Sequence, residues 1–400
     1  MNHMLAPRMS RVRPSATGAI SDLARSLSDQ GRSIINLGEG ELDFDTPPHI
    51  KDVAVEALRR GETKYTAVAG TAAMKQAIIR KFHDENGLDY TPAEVIAGTG
   101  AKQLIFNALL ATVAEGDEVI VPAPYWVSYP DMVGLTGGTA KIVSCEENNG
   151  WKLRAEALEA AITPSTKWLL LNSPGNPSGA LYTRDDLAAL AEVLLRHERV
   201  MVLADDIYEH ISFTGDFHTL AEVEPRLKDR VLTVNGVSKS FSMTGWRIGF
   251  AGGPAWLIGA MQTLQSQSTS NPSSISQAAA VGALTGSKAF LAEWVEVLRQ
   301  RRDIAAAILQ SAPGLRCAVP DGAFYLFVNC AGLVGRKDAD GKAIETDIDL
   351  AAYLLDKAGV AVVPGSAFGV PLYFRVAFGV ETEQLELACR RVAGACAALR

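Results

Sequence analysis

Val200-Met-Val-Leu-Ala204 is a run of five apolar residues that ends at two acids, Asp205 and Asp206. Similar runs lie at Glu118–Pro122, Lys167–Leu171, Val231–Val234 and Arg247–Ala251. Apolar runs without alternation are typical of strands buried on both faces, as in a parallel sheet covered by helices. Amphipathic stretches between the runs, such as Arg184–Arg196, predict those helices. The sequence therefore predicts an α/β fold with a large, mainly parallel sheet and helices on both faces.

The pattern changes after one long predicted helix, Ser287–Gln310, which Ala312-Pro313-Gly314 brings to an end. Further along, short strands and a last helix are predicted at Ala323–Val328, Val360–Val363, Tyr373–Ala377 and Thr382–Ala398. The polar stretch Gly332–Asp347 is interpreted as an exposed loop. Since 400 residues are many for a single core, we predict two domains. Residues 46–310 would form the large domain, and residues 1–45 with 311–400 a smaller α+β domain.

Composition narrows the possible functions. The chain has 38 basic and 45 acidic residues, a formal net charge of −7, which disfavours nucleic acids and anionic membranes as partners. No apolar run approaches the roughly 18 residues of a membrane span, and no apolar segment of a secretory signal follows the N-terminus. The five cysteines are scattered, so we expect neither a disulfide framework nor a metal site. A reducing cytoplasm is the expected location.

Polar residues follow the predicted strands, at the sheet edge where ligands bind in open α/β folds. Asn172-Ser-Pro-Gly-Asn-Pro-Ser-Gly179 comes directly after the strand Lys167–Leu171, although Asn, Pro and Gly also suit an ordinary turn. Asp205 and Asp206 end another strand. Two acids at that position indicate a bound cation or protonated ligand, while the capping of a helix is the alternative.

Lys239 lies in Asn235-Gly-Val-Ser-Lys-Ser240, after a further predicted strand. A lysine at the mouth of a buried sheet can lose its charge by desolvation and become a nucleophilic amine. Surface lysines are far commoner, so Lys239 alone indicates little. Its order and spacing with other residues are more informative: Asn176, Asp205, Tyr208 and Arg247.

With these residues the chain resembles the class I aminotransferases, which are fold-type I pyridoxal-phosphate (PLP) enzymes, and specifically the bacterial aspartate and aspartate–prephenate aminotransferase branch. The resemblance runs from about Arg13 to the C-terminus. It is carried by the blocks RPSAT, ETKYTAVAGTAAMKQAI, GTGAKQLIFNALLATVAEGDEVIVPAPYWVSYP, NSPGNPSGALY, ADDIYEHI, NGVSKSFSMTGWRIGFAGGP, DGAFYLF and GVAVVPGSAFG. It implies a transaminase that moves the amino group of an L-amino acid, with aspartate favoured, to a 2-oxo acid such as 2-oxoglutarate.

The resemblance also implies roles around the cofactor ring, which the large domain would bind. Lys239 would hold PLP as a Schiff base and shuttle a proton. Asp205 would face the pyridine nitrogen and keep it protonated. Tyr208 and Asn176 would bind the 3′ oxygen of the ring. Trp126 would stack on the ring face, where the alternative is a tryptophan of the core.

The phosphate of PLP has its own set of implied residues. Gly100, Ala101 and Lys102 precede an apolar helical stretch, so their amides can form the anion-binding start of a helix. Arg247 would bind the phosphate with its guanidinium fork. Tyr65 resembles a tyrosine that reaches the phosphate from the neighbouring subunit. The resemblance therefore implies a homodimer with shared active sites.

For the substrate, Arg375 matches the arginine that binds the α-carboxylate; alone it would be interpreted as a solvated residue of an edge strand. Gly40 would offer its amide to the same carboxylate, and Trp126 and Asn176 would also contact the substrate. A dicarboxylic amino acid needs a second cation for its distal carboxylate. Arg13 is the candidate by position, with a solvated arginine of the terminus as the alternative.

Other functions stay open at this point. An aromatic or prephenate-type aminotransferase would share the same residues, as would a fold-type I β-lyase or a cyclopropane-forming synthase. A non-enzyme alternative is the aminotransferase-like sensor half of a transcription regulator. We expect that alternative to fail, because the resemblance begins near Arg13 and leaves no room for a DNA-binding domain ahead of it.

Overall fold

The computed structural model describes residues 4–400. In chain order its strands are β1 Ile35–Asn36, β2 Val95–Gly98, β3 Glu118–Ala123, β4 Thr139–Ser144, β5 Thr166–Asn172, β6 Met201–Asp205, β7 Val231–Gly236, β8 Gly249–Gly252, β9 Arg316–Cys317, β10 Tyr325–Asn329, β11 Val360–Ala361, β12 Val363–Pro364 and β13 Tyr373–Ala377. The α-helices are α1 Ala16–Asp29, α2 Pro48–Arg59, α3 Ala72–Asn86, α4 Ala101–Thr112, α5 Ser128–Thr136, α6 Ala155–Ala161, α7 Arg184–Arg196, α8 Leu220–Val223, α9 Ala255–Ser268, α10 Ser274–Thr285, α11 Phe290–Ser311, α12 Asp347–Tyr353 and α13 Thr382–Ala398.

Seven strands form the large sheet, in the order β2-β8-β7-β6-β5-β3-β4. All neighbours are parallel except β8, which runs antiparallel to both β2 and β7. Successive residues of β5 belong to different apolar clusters: Leu169 and Leu171 pack on one face of the sheet, Trp168 and Leu170 on the other. Helices cover both faces, so the predicted α/β fold with a mainly parallel sheet is confirmed.

The run Arg247–Ala251 was expected to be one strand of that sheet, but β8 begins only at Gly249. Arg247 has a φ of +57°, in the left-handed region, and therefore lies in the turn before the strand. This turn places the Arg247 side chain at the carboxyl ends of the neighbouring parallel strands instead of inside the sheet.

A second, antiparallel sheet has the order β12-β13-β10-β9, and a parallel pair joins β1 to β11. Helices α11 and α13 pack beside these strands over a separate apolar cluster. Because β13 lies between β12 and β10, Arg375 is on an internal strand, so the expectation of an edge strand was wrong. The boundaries of the two domains stay a prediction.

The stretch Gly332–Asp347 is not wholly an exposed loop. Its end starts α12, where Thr346 and Asp349 form a reciprocal capping box. Asp347 is 2% exposed and accepts hydrogen bonds of 2.7 Å from both the amide and the hydroxyl of Ser366. Composition alone indicated a polar loop because it does not reveal that Ser366, 19 positions later, satisfies this buried carboxylate. Within residues 4–400, no helix combines the length and the apolar character needed to cross a membrane.

Candidate active site

A cavity of about 320 Å³ opens where β5, β6 and β7 end, between the large sheet and β13. This is the edge at which the sequence predicted a ligand site. Ten of the predicted site residues line the cavity: Gly40, Ala101, Lys102, Trp126, Asn176, Asp205, Tyr208, Lys239, Arg247 and Arg375. The first and last of them are 335 positions apart in the chain, so the fold brings distant segments to one place.

Lys239 follows β7 and lies partly buried at the base of the cavity. Its Nζ donates a hydrogen bond of 2.6 Å to the carbonyl oxygen of Gly40. Burial lowers the pKa of Lys239 to about 8, and the positive charges of Arg375 and Arg247 act in the same direction. The side chain is therefore an amine that is partly neutral near physiological pH, as a nucleophile requires.

Asp205 is the last residue of β6 and is 4% exposed. The hydroxyl of Tyr129 donates to its Oδ2 at 2.6 Å, and the amide of Ile207 donates to Oδ1 at 3.4 Å. Burial raises the pKa of Asp205 to about 6, although these two donors and Lys239 counteract it. The carboxylate is therefore fixed in direction and is suited to a cationic hydrogen-bond donor inside the cavity.

Asp206 does not line the cavity, although it is also buried. Because successive residues of a strand point to opposite sides, its carboxyl lies behind the sheet, near Thr219 and Glu209. Burial and the charge of Glu209 hold the pKa of Asp206 well above its usual range. The geometry therefore distinguishes Asp205 from Asp206. From the sequence, only the resemblance favoured Asp205.

Tyr208 lies in the turn after β6, with its hydroxyl 2.8 Å from that of Tyr325 on β10. The two rings meet edge to face at 5.7 Å between centroids. Gly40 passes close by, since a Cβ there would lie 2.5 Å from the Tyr325 hydroxyl. Glycine is thus required at position 40 for the backbone to reach the cavity.

Arg375 is buried on β13 and points into the cavity. Its guanidinium donates to the Oδ1 of Asn176 at 2.9 Å and to the carbonyl oxygen of Gly38 at 2.5 Å. It also lies over the rings of Tyr325 and Phe368, at 4.5 and 5.1 Å from their centroids. Its buried Nε has no hydrogen-bond partner among residues 4–400, which leaves donor capacity for an anion.

The start of α4 forms the anion-binding side of the cavity. Gly100 has a φ of +82°, and no side chain in the described part of the protein caps the helix. Arg247 lies so close that a Cβ on Gly100 would be 2.5 Å from its Nη2. The free amides of the first turn and the guanidinium therefore face the same space.

Lys102 and Trp126 form the adjoining wall, with the Lys102 Nζ 4.8 Å from the centroid of the indole ring. Burial lowers the pKa of Lys102, and the charge of Arg247 adds to this effect. Within residues 4–400, no acidic group contributes to the pKa of the Lys102 amine. Lys102 therefore provides an uncompensated cation inside the cavity, and Trp126 is not simply a core residue.

Two predicted residues lie away from this cavity. Tyr65 is 91% exposed, on the surface of its own chain. Its expected role belongs to a neighbouring subunit and stays a prediction. Arg13 is also exposed and does not line the cavity, so the structure does not bring this arginine to the site in its own chain. The terminal residue that does reach the cavity is Thr17, at the start of α1.

Sequence reasoning assigned no role to several residues of the site, of which three hold other site residues in place. They are Tyr129, which holds Asp205; Tyr325, which holds Tyr208; and Asn172, whose Nδ2 donates to the Asp205 carbonyl at 2.7 Å. Asn172 ends a predicted strand and could have been found by that signal. The two tyrosines are 76 and 117 positions from their partners, and no local pattern reveals such contacts.

Residues 32–392 match the family model described as aminotransferase class I and II. The chain belongs to this family. A probable aspartate/prephenate aminotransferase of Rhizobium leguminosarum bv. phaseoli is 53% identical over 398 residues, covering 99% of both chains. The aspartate/prephenate aminotransferase of Cereibacter sphaeroides is 53% identical over 396 residues, also covering 99% of both.

Solved structures give the same result for this aminotransferase. The aspartate aminotransferase of Rhizobium meliloti superposes with a TM-score of 0.96 at 52% identity, covering 100% of both chains. The aspartate aminotransferase of Thermus thermophilus with maleate gives a TM-score of 0.92 at 40% identity, covering 98% of this chain and 99% of that one. The predicted fold type and the resemblance to the aspartate aminotransferase branch are confirmed.

Proposed function

We propose that this aminotransferase uses PLP to transfer the amino group of an L-amino acid, with aspartate favoured, to a 2-oxo acid such as 2-oxoglutarate. The observation that carries the proposal is the meeting of a partly buried amine, a buried carboxylate and a buried guanidinium in one cavity: Lys239, Asp205 and Arg375. The names of the relatives support the choice of aspartate.

The cavity fits PLP at each part of that molecule. A phosphate suits the uncapped start of α4, beside which lies the Arg247 guanidinium, held through its Nη1 by the Thr244 carbonyl at 3.0 Å. Asp205 suits the pyridine nitrogen, and Tyr208 with Asn176 suits the 3′ oxygen. Trp126 offers an aromatic face to the ring. When bound, PLP supplies an electron sink that stabilises negative charge on the substrate Cα.

The protein's own contribution is to hold protons at defined atoms. The Nζ of Lys239 is the amine that binds the cofactor and then takes and returns the Cα proton of the substrate. Asp205 keeps a proton on the ring nitrogen, and a cationic partner there would lower the pKa of this carboxyl from about 6. Tyr129 keeps the carboxylate aimed, since its hydroxyl donates at 2.6 Å.

Arg375 is proposed to bind the α-carboxylate of the substrate. Its free Nε and the planar fork of the guanidinium suit two carboxylate oxygens. Asn176 aligns the fork from the side of the large sheet, and Gly40 is proposed to add its amide. This fixes the substrate with its Cα toward Lys239, which is the geometry that proton transfer needs.

For the distal carboxylate we propose Lys102 in place of Arg13. Lys102 lines the cavity and no acidic group contributes to its pKa, whereas Arg13, which is exposed like Lys102, does not line the cavity. Maleate, which accompanies the Thermus thermophilus structure, is a four-carbon dicarboxylate like aspartate. A dicarboxylate spanning Arg375 and Lys102 would satisfy both cations.

We further propose a cytoplasmic homodimer with shared active sites, in which Tyr65 binds the phosphate of the partner. The exposure of Tyr65, together with Val55 and Leu58 on the nearby α2, supports a covered surface. Residues 46–310 are proposed as the PLP-binding domain. Mixing Lys239→Ala and Tyr65→Ala chains tests this: restored activity supports shared sites, because one of the two sites in the mixed dimer is then intact.

Half-reactions test the function itself. Aspartate alone is expected to change the absorbance of the bound cofactor, and 2-oxoglutarate to restore it, without release of ammonia. Ammonia release without restoration would indicate a β-lyase instead. Because relatives carry prephenate in their names, prephenate belongs beside oxaloacetate and 2-oxoglutarate in the panel of acceptors. A failure of aspartate with every acceptor would overturn the proposal.

A further inference from the structure

The turn after β6 divides its side chains between two sides of the large sheet. Ile207 and Tyr208 line the cavity. Asp206, Glu209 and His210 face the rear, toward α3. The turn that presents Tyr208 to the proposed cofactor therefore has a second attachment behind the sheet.

This rear attachment is a buried ion pair between Glu209 and Lys81 of α3, whose side chains are 4% and 1% exposed. Asn86 completes a triangle with them. The Lys81 Nζ donates to the Asn86 Oδ1 at 2.6 Å, and the Asn86 Nδ2 donates to the Glu209 Oε2 at 3.1 Å. The Glu209 carboxylate is thus fixed in both position and orientation by two residues of one helix.

Outer neighbours complete the cluster. His210 lies 2.9 Å from the Oε2 of Glu85, which also lies 3.8 Å from the Lys81 Nζ and pairs with Lys288. Two lysine ammonium groups therefore compensate the carboxylates. A metal ion would have to displace them, so this cluster is an ion-pair network.

A buried ion pair is often no more stabilising than apolar side chains of similar volume, because both charges are desolvated. The contribution of the Glu209–Lys81 pair is instead to fix the orientation of the Glu209 carboxylate. Within the turn, the Glu209 amide donates to the Asp206 carbonyl at 3.0 Å, and the Ile211 amide donates to the Tyr208 carbonyl at 2.8 Å. These bonds make the turn a stiff unit, so a shift at Glu209 is passed to its neighbour Tyr208.

We propose that Glu209 is a positioning residue for Tyr208, which it holds in place from behind the sheet through Lys81. On the cavity side the Tyr208 hydroxyl meets that of Tyr325, and the Tyr208 ring packs edge to face against Phe324 and Tyr325. The role rests on the proposed function, in which the Tyr208 hydroxyl binds the 3′ oxygen of the cofactor.

The decisive variant replaces both charges, Lys81→Met with Glu209→Leu, in the holoenzyme. Its melting temperature is expected to equal or exceed that of the wild type, because apolar packing replaces the pair and Asn86 lines a surface cavity that is open to solvent. If Glu209 positions Tyr208, kcat with aspartate falls at least about tenfold while KM is unchanged. The pH at which the cofactor absorbance changes also moves.

Two comparisons separate positioning from simple support of the fold. In a Tyr208→Phe background the double replacement is expected to add no further loss of kcat, because its effect acts through the lost hydroxyl. Arg80→Gln is the matched control: it removes an exposed ion pair with Asp84 on the same helix, α3, and this pair contacts neither Glu209 nor His210. It should leave kcat and the cofactor absorbance as in the wild type.

Glu209→Gln supplies the same measurements should the double replacement fail to fold. Wild-type kcat and absorbance in a folded variant, or a loss that adds fully to that of Tyr208→Phe, would overturn the positioning role alone. A wild-type protein that binds no PLP or does not transaminate aspartate would overturn the proposed function, and the positioning role with it.

Discussion

Arg375 and Asn176 are joined by a hydrogen bond of 2.9 Å between a guanidinium nitrogen and an amide oxygen, across the gap between two sheets. Asn176 comes from the loop after β5 of the large sheet, and Arg375 from β13 of the antiparallel sheet. One side chain thus touches the arginine proposed for the substrate and faces the space proposed for the cofactor ring. Substrate orientation and cofactor orientation are therefore coupled through a single amide.

Arg375→Lys tests the guanidinium. A lysine keeps the charge but cannot bind Asn176, the Gly38 carbonyl and two carboxylate oxygens together. We expect kcat/KM for aspartate to fall about a hundredfold, with an unchanged absorbance of the bound cofactor. Arg302→Lys, at an arginine that binds the Pro320 carbonyl outside the cavity, is the control. A loss below about threefold would contradict the role.

Replacement by asparagine should affect the neighbouring acids Asp205 and Asp206 differently. Asp205→Asn removes the charge that faces the cavity, and we expect kcat to fall about a thousandfold, a loss of several kcal/mol of transition-state stabilisation. Asp206→Asn is expected to leave kcat within about threefold, because the Asp206 carboxyl lies behind the sheet and does not line the cavity. Equal losses in steady-state assays would show that the wrong acid is assigned.

Lys239→Ala should abolish turnover and still bind PLP weakly through the phosphate. The amine that bonds to the cofactor and moves the proton is then absent, while Arg247 and the start of α4 are intact. Equilibrium dialysis measures the remaining affinity, and absorbance reports the missing covalent bond. Full activity with a wild-type absorbance would rule out Lys239 as the nucleophile.

In the protein without cofactor, the burial of Lys239 should lower the free energy of unfolding. Its folded pKa, about 8, lies below the usual value of 10.5, so the folded state binds the proton more weakly than the unfolded chain. The burial therefore destabilises the apoprotein most below pH 8, and the penalty shrinks as the pH rises toward 10.5. Lys239→Met should raise the free energy of unfolding at pH 7 by up to about 3 kcal/mol, with a smaller gain at pH 10. Denaturant titrations at both pH values measure it; a gain that grows with pH would contradict the sign.

Lys102 and Arg13 are the two candidates for binding the distal carboxylate of aspartate. Lys102→Met should lower kcat/KM for aspartate about ten- to a hundredfold and leave a neutral donor nearly unaffected, since one charge-assisted bond is lost. Arg13→Ala should have the smaller effect, because Arg13 is exposed outside the cavity. The reverse order of the two variants would return the role to Arg13.

Much of the fold follows from local patterns. The helix predicted at Arg184–Arg196 and the strand at Tyr373–Ala377 match α7 and β13 residue for residue. The apolar pattern of a segment reflects which of its residues are buried, and α7 and β13 both have such a pattern. The pattern does not indicate the direction of a strand. β8 is buried on both faces, as the parallel strands of the sheet are, so its antiparallel course could not be predicted from the apolar run.

The site residues also fall into two groups, those that a local sequence pattern reveals and those that it does not. Residues at strand ends, such as Asp205, could be predicted because the carboxyl edge of a parallel sheet collects ligands. Tyr129 could not, since it joins Asp205 only through the packing of α5 against the sheet. Arg13 was placed by its position in the chain, and the structure shows why that is insufficient: Thr17, four residues later, is the one that reaches the cavity.

The contacts of Arg375 also determine when this enzyme can become competent during synthesis. Its guanidinium is bound to a carbonyl 337 positions earlier and to an amide 199 positions earlier. Contacts so distant in sequence form late in folding, because the entropy of closing the intervening loops is lost first. A nascent chain still lacking its last 30 residues has the amine, the acid and the phosphate cradle but no fork for the substrate. We therefore expect cofactor capture to precede substrate recognition in the life of each molecule.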